Sequence, residues 1–244
     1  MKAILFDEFG GPEVLRYGDV PDPVAGPGEV LVQLRASALN HVDIDIRDGV
    51  SRFDFVMPHI LGIEGAGVVA AVGSGVDEVA VGDRVAVSYI RTCDACEWCK
   101  RGQDNLCENR RLFGEHIPGS YAQYMVAPAS HCIALPENVT FADAAATLVA
   151  FGTAWHGLIT RGALTLGDTV LIHSVGSGVA SAALQICKAA GATVIATASS
   201  DAKLERATSD GADHVINYTR DDVNESVMAF THGRGVDLVF DVVG

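Results

Sequence analysis

The sequence predicts two domains of different class: a β domain of barrel type over residues 1–135 and a doubly wound parallel α/β sheet over residues 136–244. Three observations carry this. Before Pro136, short β-branched runs are punctuated by Pro and Gly; after it, apolar strands alternate with Ala-rich helical stretches; and a glycine-rich turn joins the first of those strands to the helix behind it.

In the first domain, residues 30–34 and 68–72 read as strands, set among the breakers Pro21, Pro23, Gly26, Pro27, Gly73, Gly75 and Gly82. In the second, residues 141–159 form a helix, 169–173 a strand, 178–190 a helix ended by Gly191, 193–197 a strand and 202–209 a helix. Two further strands follow at 214–218 and 236–243, with helical residues between them. The first three of these strands are nearly all apolar, as strands buried on both faces of a parallel sheet are. A doubly wound sheet usually has six strands in two halves, and four are countable here, so the chain reads as C-terminally truncated, with an exposed strand edge expected to self-associate.

Composition narrows the function. The 244 residues are 49% hydrophobic, and 17 Lys and Arg against 31 Asp and Glu leave a net charge of −14. That charge repels nucleic-acid phosphates and anionic lipid, which argues against both as partners. The apolar start at Met1 to Phe6 is broken by Asp7 and Glu8 without a cleavage site, and no apolar run spans a bilayer. Six cysteines are too few for a disulfide scaffold, and a cytoplasmic location is expected.

Four of the six make the spacing Cys93-x2-Cys96-x2-Cys99-x7-Cys107. Zinc in a structural site takes four ligands in a tetrahedron, and thiolates three positions apart reach one ion from a tight turn. Four protein ligands leave no open position, so the predicted zinc folds a loop and does no chemistry. Arg91, Lys100, Arg101, Arg110 and Arg111 surround the cluster, either screening a doubly negative zinc–thiolate centre or forming a solvated basic face. Cys132 and Cys187 read as core thiols.

The turn Gly176-Ser177-Gly178-Val179 follows the strand at 169–173 and opens a helix, where small residues let backbone amides approach a pyrophosphate. Its literal form is Gly-x-Gly-x-x-Ser, and a plain tight turn is the alternative. An acid ending the next strand would bind a ribose 2′-hydroxyl, but none occurs there before Asp201; Ser199, Ser200 and Lys203 suit a 2′-phosphate, which favours NADPH over NADH.

Together with Gly28-Glu29-Val30-Leu31-Val32, Leu61-Gly62-Ile63-Glu64-Gly65-Ala66-Gly67-Val68-Val69 and Val81-Gly82-Asp83-Arg84-Val85, these motifs resemble the medium-chain dehydrogenase/reductase superfamily of zinc alcohol dehydrogenases and quinone oxidoreductases. The resemblance extends over the whole chain. It implies a GroES-like N-terminal domain, a Rossmann domain, hydride transfer to or from a small-molecule substrate, and a homo-oligomer for the full-length protein. It also implies that Thr153 lies beside the nicotinamide.

Alcohol dehydrogenases of the superfamily hold a second, catalytic zinc. Its three ligand positions fall here on Asn40, Ile63 and Val149, with Glu64 retained, and the hydroxyl that relays the alcohol proton falls on Val42. Ile63 and Val149 have no lone pair to offer, so the resemblance implies no catalytic zinc. Electron-poor double bonds in quinones, enones or enoyl thioesters accept hydride with only hydrogen-bond donors on the oxygen, and Asn40 matches the quinone oxidoreductase branch. Asn40 is then a donor to substrate or nicotinamide and His41 a proton donor; the alternative is a solvated loop with Asp43 as a capping residue. Glu64, in an apolar stretch, is expected to make a structural hydrogen bond. The expected function is NADPH-dependent reduction of activated double bonds. A zinc alcohol dehydrogenase using His41, Asp43 and Glu64 is one rival, and a non-catalytic NADPH-binding protein the other.

Overall fold

The computed structural model describes residues 1–50 and 56–243 and divides into two compact units, Met1–Leu148 and Val149–Gly244. The first contains β1 (Lys2–Phe6), β2 (Arg16–Asp19), β3 (Glu29–Ser37), α1 (His41–Arg47), β4 (His59–Ile60), β5 (Gly65–Val72), β6 (Arg84–Val87), β7 (Ile90–Arg91), α2 (Glu97–Lys100), β8 (Arg111–Leu112), β9 (Tyr124–Pro128) and β10 (Cys132–Ala134). An antiparallel sheet in the order β10-β6-β5-β3-β9 forms its body, with β2-β1-β4 beside it and the β7-β8 hairpin leading to the cysteine lobe. Alternation on β3 explains the core: Val30 and Val32 are fully buried with Val69, Val85, Val87 and Met125, while Leu31 and Gln33 are only half-buried. Bulges in β3 bring its backbone onto β5 so closely that a Cβ on Gly67 would stand 2.1 Å from the Gln33 carbonyl oxygen.

The helix expected from residue 141 is α3 (Phe141–Trp155), continued by a π-helical turn at His156–Arg161. Its first half packs Ala144 and Ala145 against Ala66 and Ala86 of the β domain. This is why compactness divides the chain after Leu148 rather than after residue 135, where the composition changes.

The second unit is a four-stranded parallel sheet in the order β13-β12-β11-β14, built from β11 (Thr169–Ile172), β12 (Thr193–Ala198), β13 (His214–Asn217) and β14 (Leu238–Phe240). The helices are α4 (Gly178–Ala189), α5 (Asp201–Ser209) and α6 (Val223–Phe230). Both faces of the sheet are covered. Val170, Ile172, Val194 and Ala196 pack with Ala180, Ala183 and Leu184 of α4 and Leu204 of α5, while Leu171, Ile195 and Ile216 pack with Val227 of α6. The strand expected over residues 236–243 is shorter. Its pairing with β11 ends at Ile172↔Phe240, because β11 stops there to enter the glycine turn.

Candidate functional site

Three constellations carry chemistry, two in the first unit and one in the second. In the cysteine lobe, Asp94 at φ 53 and Gly102 at φ 69 turn the chain around the short helix α2, which begins after Cys96. Cys107 closes the lobe after a 3-10 turn, its N–H donating to the Asp104 carbonyl at 3.0 Å. The four sulfur atoms lie within 4.8 Å of one another, and among the described residues this is the one group of three or more His, Cys, Asp or Glu so placed. Cys96 and Cys99 are 3.4 Å apart and Cys93 and Cys107 3.6 Å. Zinc bonded to four thiolates at about 2.3 Å sets sulfur spacings of about 3.8 Å, so the cluster fits the ion with little movement. Backbone N–H groups of Ala95 and Cys96 draw the Cys93 thiol down to about 6, whereas burial and the neighbouring thiols push Cys99 up to about 12. A cation is what would allow all four to ionise together. The surrounding cations are largely committed elsewhere: Arg91 pairs with Glu29 at 2.9 Å and Arg101 with Glu97 at 3.5 Å, and of the arginines Arg110 reaches a ligand residue, donating to the Cys107 carbonyl at 3.3 Å. Burial also raises Cys132 and Cys187 to about 11, as core thiols require.

The second constellation centres on Asn40, which precedes α1. Its backbone N–H donates to Asp43 Oδ2 at 2.8 Å, the carboxylate half of a capping box. Its side-chain Nδ2 donates to Glu64 Oε1 at 2.8 Å. Glu64 is 2% exposed, and the structural hydrogen bond expected of it is this one. Asp43 is buried too, accepting from Gly62 N at 3.0 Å and from the Tyr121 hydroxyl at 2.9 Å. Burial raises its carboxyl above the usual range, against the pull of the hydrogen bonds from Asn40, Tyr121 and Gly62. Asp43 does cap α1, as the alternative reading had it, but from within a buried polar cluster rather than a solvated loop. One N–H of Asn40 is spent on Glu64 and its side-chain oxygen faces the Asp43 backbone N–H in the other half of the capping box, which leaves the second N–H of the amide. His41 points away, its side chain 85% exposed and 3.7 Å from Asp45. Ile63 is 3% exposed and brings no donor atom. Tyr121 and Gly62 escaped the sequence reading; their signal lies only in the fold, which brings them to Asp43 across long stretches of chain.

In the second unit, Ser174 at φ 52 turns the chain out of β11, and Val175 N binds the Thr197 carbonyl of β12 at 2.9 Å. Ser177 caps α4, accepting from Ala180 N at 3.3 Å. A cavity of about 200 Å3 is lined by Ser174, Gly176, Ser177, Ala198, Ser199, Lys203 and Tyr218, with no carboxylate among them. A second, of about 410 Å3, shares Gly176, Ser177 and Lys203 and extends to Gly178, Ser181, Arg206 and Asp210, the last two paired at 3.7 Å. The aliphatic part of Lys203 lies over Gly176, where a Cβ would stand 2.6 Å from its Cδ. Asp201, the acid nearest the second strand, is turned toward Asn217 and Arg220 at 3.1 and 3.0 Å. Of the expected cofactor contacts, Gly176, Ser177, Gly178, Ser199 and Lys203 line these cavities. Val179, Ser200 and Thr153 do not: Val179 packs its side chain into the core, Ser200 stands at the N-cap of α5, and Thr153 is exposed on α3. The N–H groups of Gly178 and Val179 still belong to the first turn of α4, which has no intrahelical acceptor for them. Arg206, three residues after Lys203 on the same helix face, is a lining residue that spacing could have revealed.

Comparison with known proteins agrees with this architecture. The alcohol dehydrogenase GroES-like domain family matches residues 26–137 and the zinc-binding dehydrogenase family matches residues 178–244. An alcohol dehydrogenase of Geobacillus stearothermophilus is 37% identical over 240 residues, covering 98% of this chain and 70% of that protein. A crystal structure of an NAD-dependent alcohol dehydrogenase superposes with a TM-score of 0.95 at 46% identity, over 98% of this chain and 70% of that one. Escherichia coli quinone oxidoreductase complexed with NADPH superposes with a TM-score of 0.83 at 30% identity, over 100% of this chain and 67% of that one. Among the described residues, no helix is long and apolar enough to cross a membrane.

Proposed function

From the premise that this chain belongs to the medium-chain dehydrogenase/reductase superfamily of oxidoreductases, we propose that it serves an NADPH-dependent enzyme that reduces an activated double bond in a quinone, enone or enoyl thioester. A single structural zinc sits at Cys93, Cys96, Cys99 and Cys107, and no catalytic zinc operates. The observation that carries this reading is the Asn40 cluster. Where a Lewis-acid site would need three donors, Asn40 is tied to Glu64 and Ile63 is a buried hydrocarbon.

When bound, the reduced nicotinamide supplies the hydride. The chain's own residues bind and orient. The first-turn N–H groups of α4 and the Gly176 turn face an anion with the helix dipole behind them, as a pyrophosphate requires. Lys203, which makes no ion pair among the described residues, and the Ser199 hydroxyl supply a cation and a donor to a 2′-phosphate in the acid-free cavity. Asn40 holds a substrate oxygen through its second N–H, and Glu64 fixes the direction of that N–H.

A second reading is an NAD-dependent alcohol dehydrogenase, favoured by the 46% identity to a structure of that name. The two diverge in binding. Calorimetric titration of the chain with NADPH and NADH should give a tighter Kd for NADPH, with Lys203→Ala weakening NADPH by about tenfold, one charge-assisted contact, and sparing NADH. Tighter binding of NADH, with alcohol oxidation in place of quinone or enone reduction, would establish the second reading.

A further inference from the structure

The chain that enters the cysteine lobe is fastened from outside the lobe. His131 ends the turn between β9 and β10; it is 8% exposed, and its carbonyl accepts from Ser88 N at 2.9 Å. From the other side, Thr92 N donates to His131 Nε2 at 3.0 Å. A backbone amide can only donate, so Nε2 carries no proton and Nδ1 carries it, facing the Ser130 hydroxyl at 3.0 Å. Ser130 in turn donates to Asp94 Oδ2 at 3.0 Å, and the Thr92 hydroxyl donates to Asp94 Oδ1 at 2.6 Å. The circuit closes through four residues.

What it encloses is Cys93. Thr92 precedes that ligand and Asp94 follows it, the latter at φ 53, a conformation uncommon for a residue other than glycine. The other three cysteines are held by the lobe's own turns, with Lys100 N on the Cys96 carbonyl, Gly102 N on the Cys99 carbonyl and Cys107 N on the Asp104 carbonyl. Cys93 alone among the four is bracketed by side chains anchored in the barrel. Polar groups behind a ligand orient it and set how tightly the metal is kept.

We propose that His131, acting with Ser130, Thr92 and Asp94, is a positioning residue that fixes Cys93 and thereby governs how long the lobe retains its zinc, which rests on the reading of the lobe as a zinc site. The test is transfer of zinc from the purified, zinc-loaded chain to an excess of chromogenic chelator, after zinc content has been measured. His131→Gln places an amide oxygen where Nε2 stands and should release zinc near the wild-type rate. His131→Asn places its amide nearer Nδ1, loses the acceptor for Thr92 N, and should release zinc about tenfold faster, the lower end of effects seen behind metal ligands. Thr92→Val keeps the side-chain shape, removes the bridge to Asp94 and should accelerate release several-fold. Equal rates for the two His131 variants would overturn the proposal, since loss of packing alone would treat both alike. If His131→Asn does not fold, Thr92→Val and Ser130→Ala decide, and wild-type rates in both would overturn it. A wild-type chain that holds no zinc would overturn the metal reading and the proposal together; a zinc-bearing wild type with uniform release rates overturns the proposal alone.

Discussion

The cysteine lobe and the Asn40 cluster lie in the same unit and are built by opposite means. In the lobe, four sulfur atoms from one short loop converge within 4.8 Å, and the fold around them consists of little more than turns. In the cluster, hydrogen bonds join groups remote in sequence: Asn40 to Glu64 across 24 residues, and Asp43 to Tyr121 across 78. A buried carboxylate takes the place of a cation as the organising charge. The lobe therefore depends on a ligand for its structure, whereas the cluster depends on the barrel for its own.

The largest effect that sharpens this contrast is loss of a lobe ligand. Cys107→Ser should reduce bound zinc from one per chain to nearly none and expose the amides of residues 93–110 to hydrogen exchange, while the Gly62 amide stays protected by Asp43. Loss of protection at Gly62 in the same variant would break the distinction.

Gly62→Ala attacks the cluster instead. Gly62 has φ 99, and a Cβ there would stand 2.5 Å from both Ser120 Oγ and the Tyr121 ring, so roughly 3 kcal/mol of strain and overpacking is expected. Thermal unfolding should show a Tm lower by on the order of 10 °C with zinc content unchanged.

Asn40→Ala removes a donor from a carboxylate that is 2% exposed, at a cost of about 1–3 kcal/mol. Asn40→Asp should be worse at pH 8 than at pH 5, because two carboxylates in hydrogen-bond contact cannot both stay ionised. Denaturant titration at the two pH values checks both variants.

The smallest effect belongs to His59, buried with its Nε2 3.0 Å from the Gly114 carbonyl oxygen. Burial lowers its pKa below the ordinary 6.5, against the opposing pull of that carbonyl. As pH falls below about 6.5 the unfolded chain takes up a proton before the folded one, so stability declines by about 1.4 kcal/mol per unit of pKa separation until the folded value is reached. Equilibrium unfolding from pH 7.5 to 5 should show this slope, and His59→Gln should flatten it.

The same contrast explains what was legible in the sequence. The lobe was, because its ligands are close neighbours and zinc dictates their spacing. The α/β alternation was too, because burial on both faces leaves an apolar signature in β11 and β12. The Asn40–Glu64 bond was only half legible: the polar residues stood out, but their pairing depends on how α1 meets the turn before β5. The clasp on Cys93 was illegible, since His131 lies 39 residues from Thr92 and shares no pattern with it. Pro136 marks a change of composition, yet the compact unit runs on to Leu148, because alanines on α3 pack as quietly against a β domain as against a parallel sheet.

Zinc per chain, measured by elemental analysis on the purified protein and on Cys107→Ser, tests the central claim most directly. One zinc in the wild type and nearly none in the variant is the predicted result. Two zinc ions per chain, or one that survives Cys107→Ser, would contradict it, because a metal would then be held by residues other than the four cysteines.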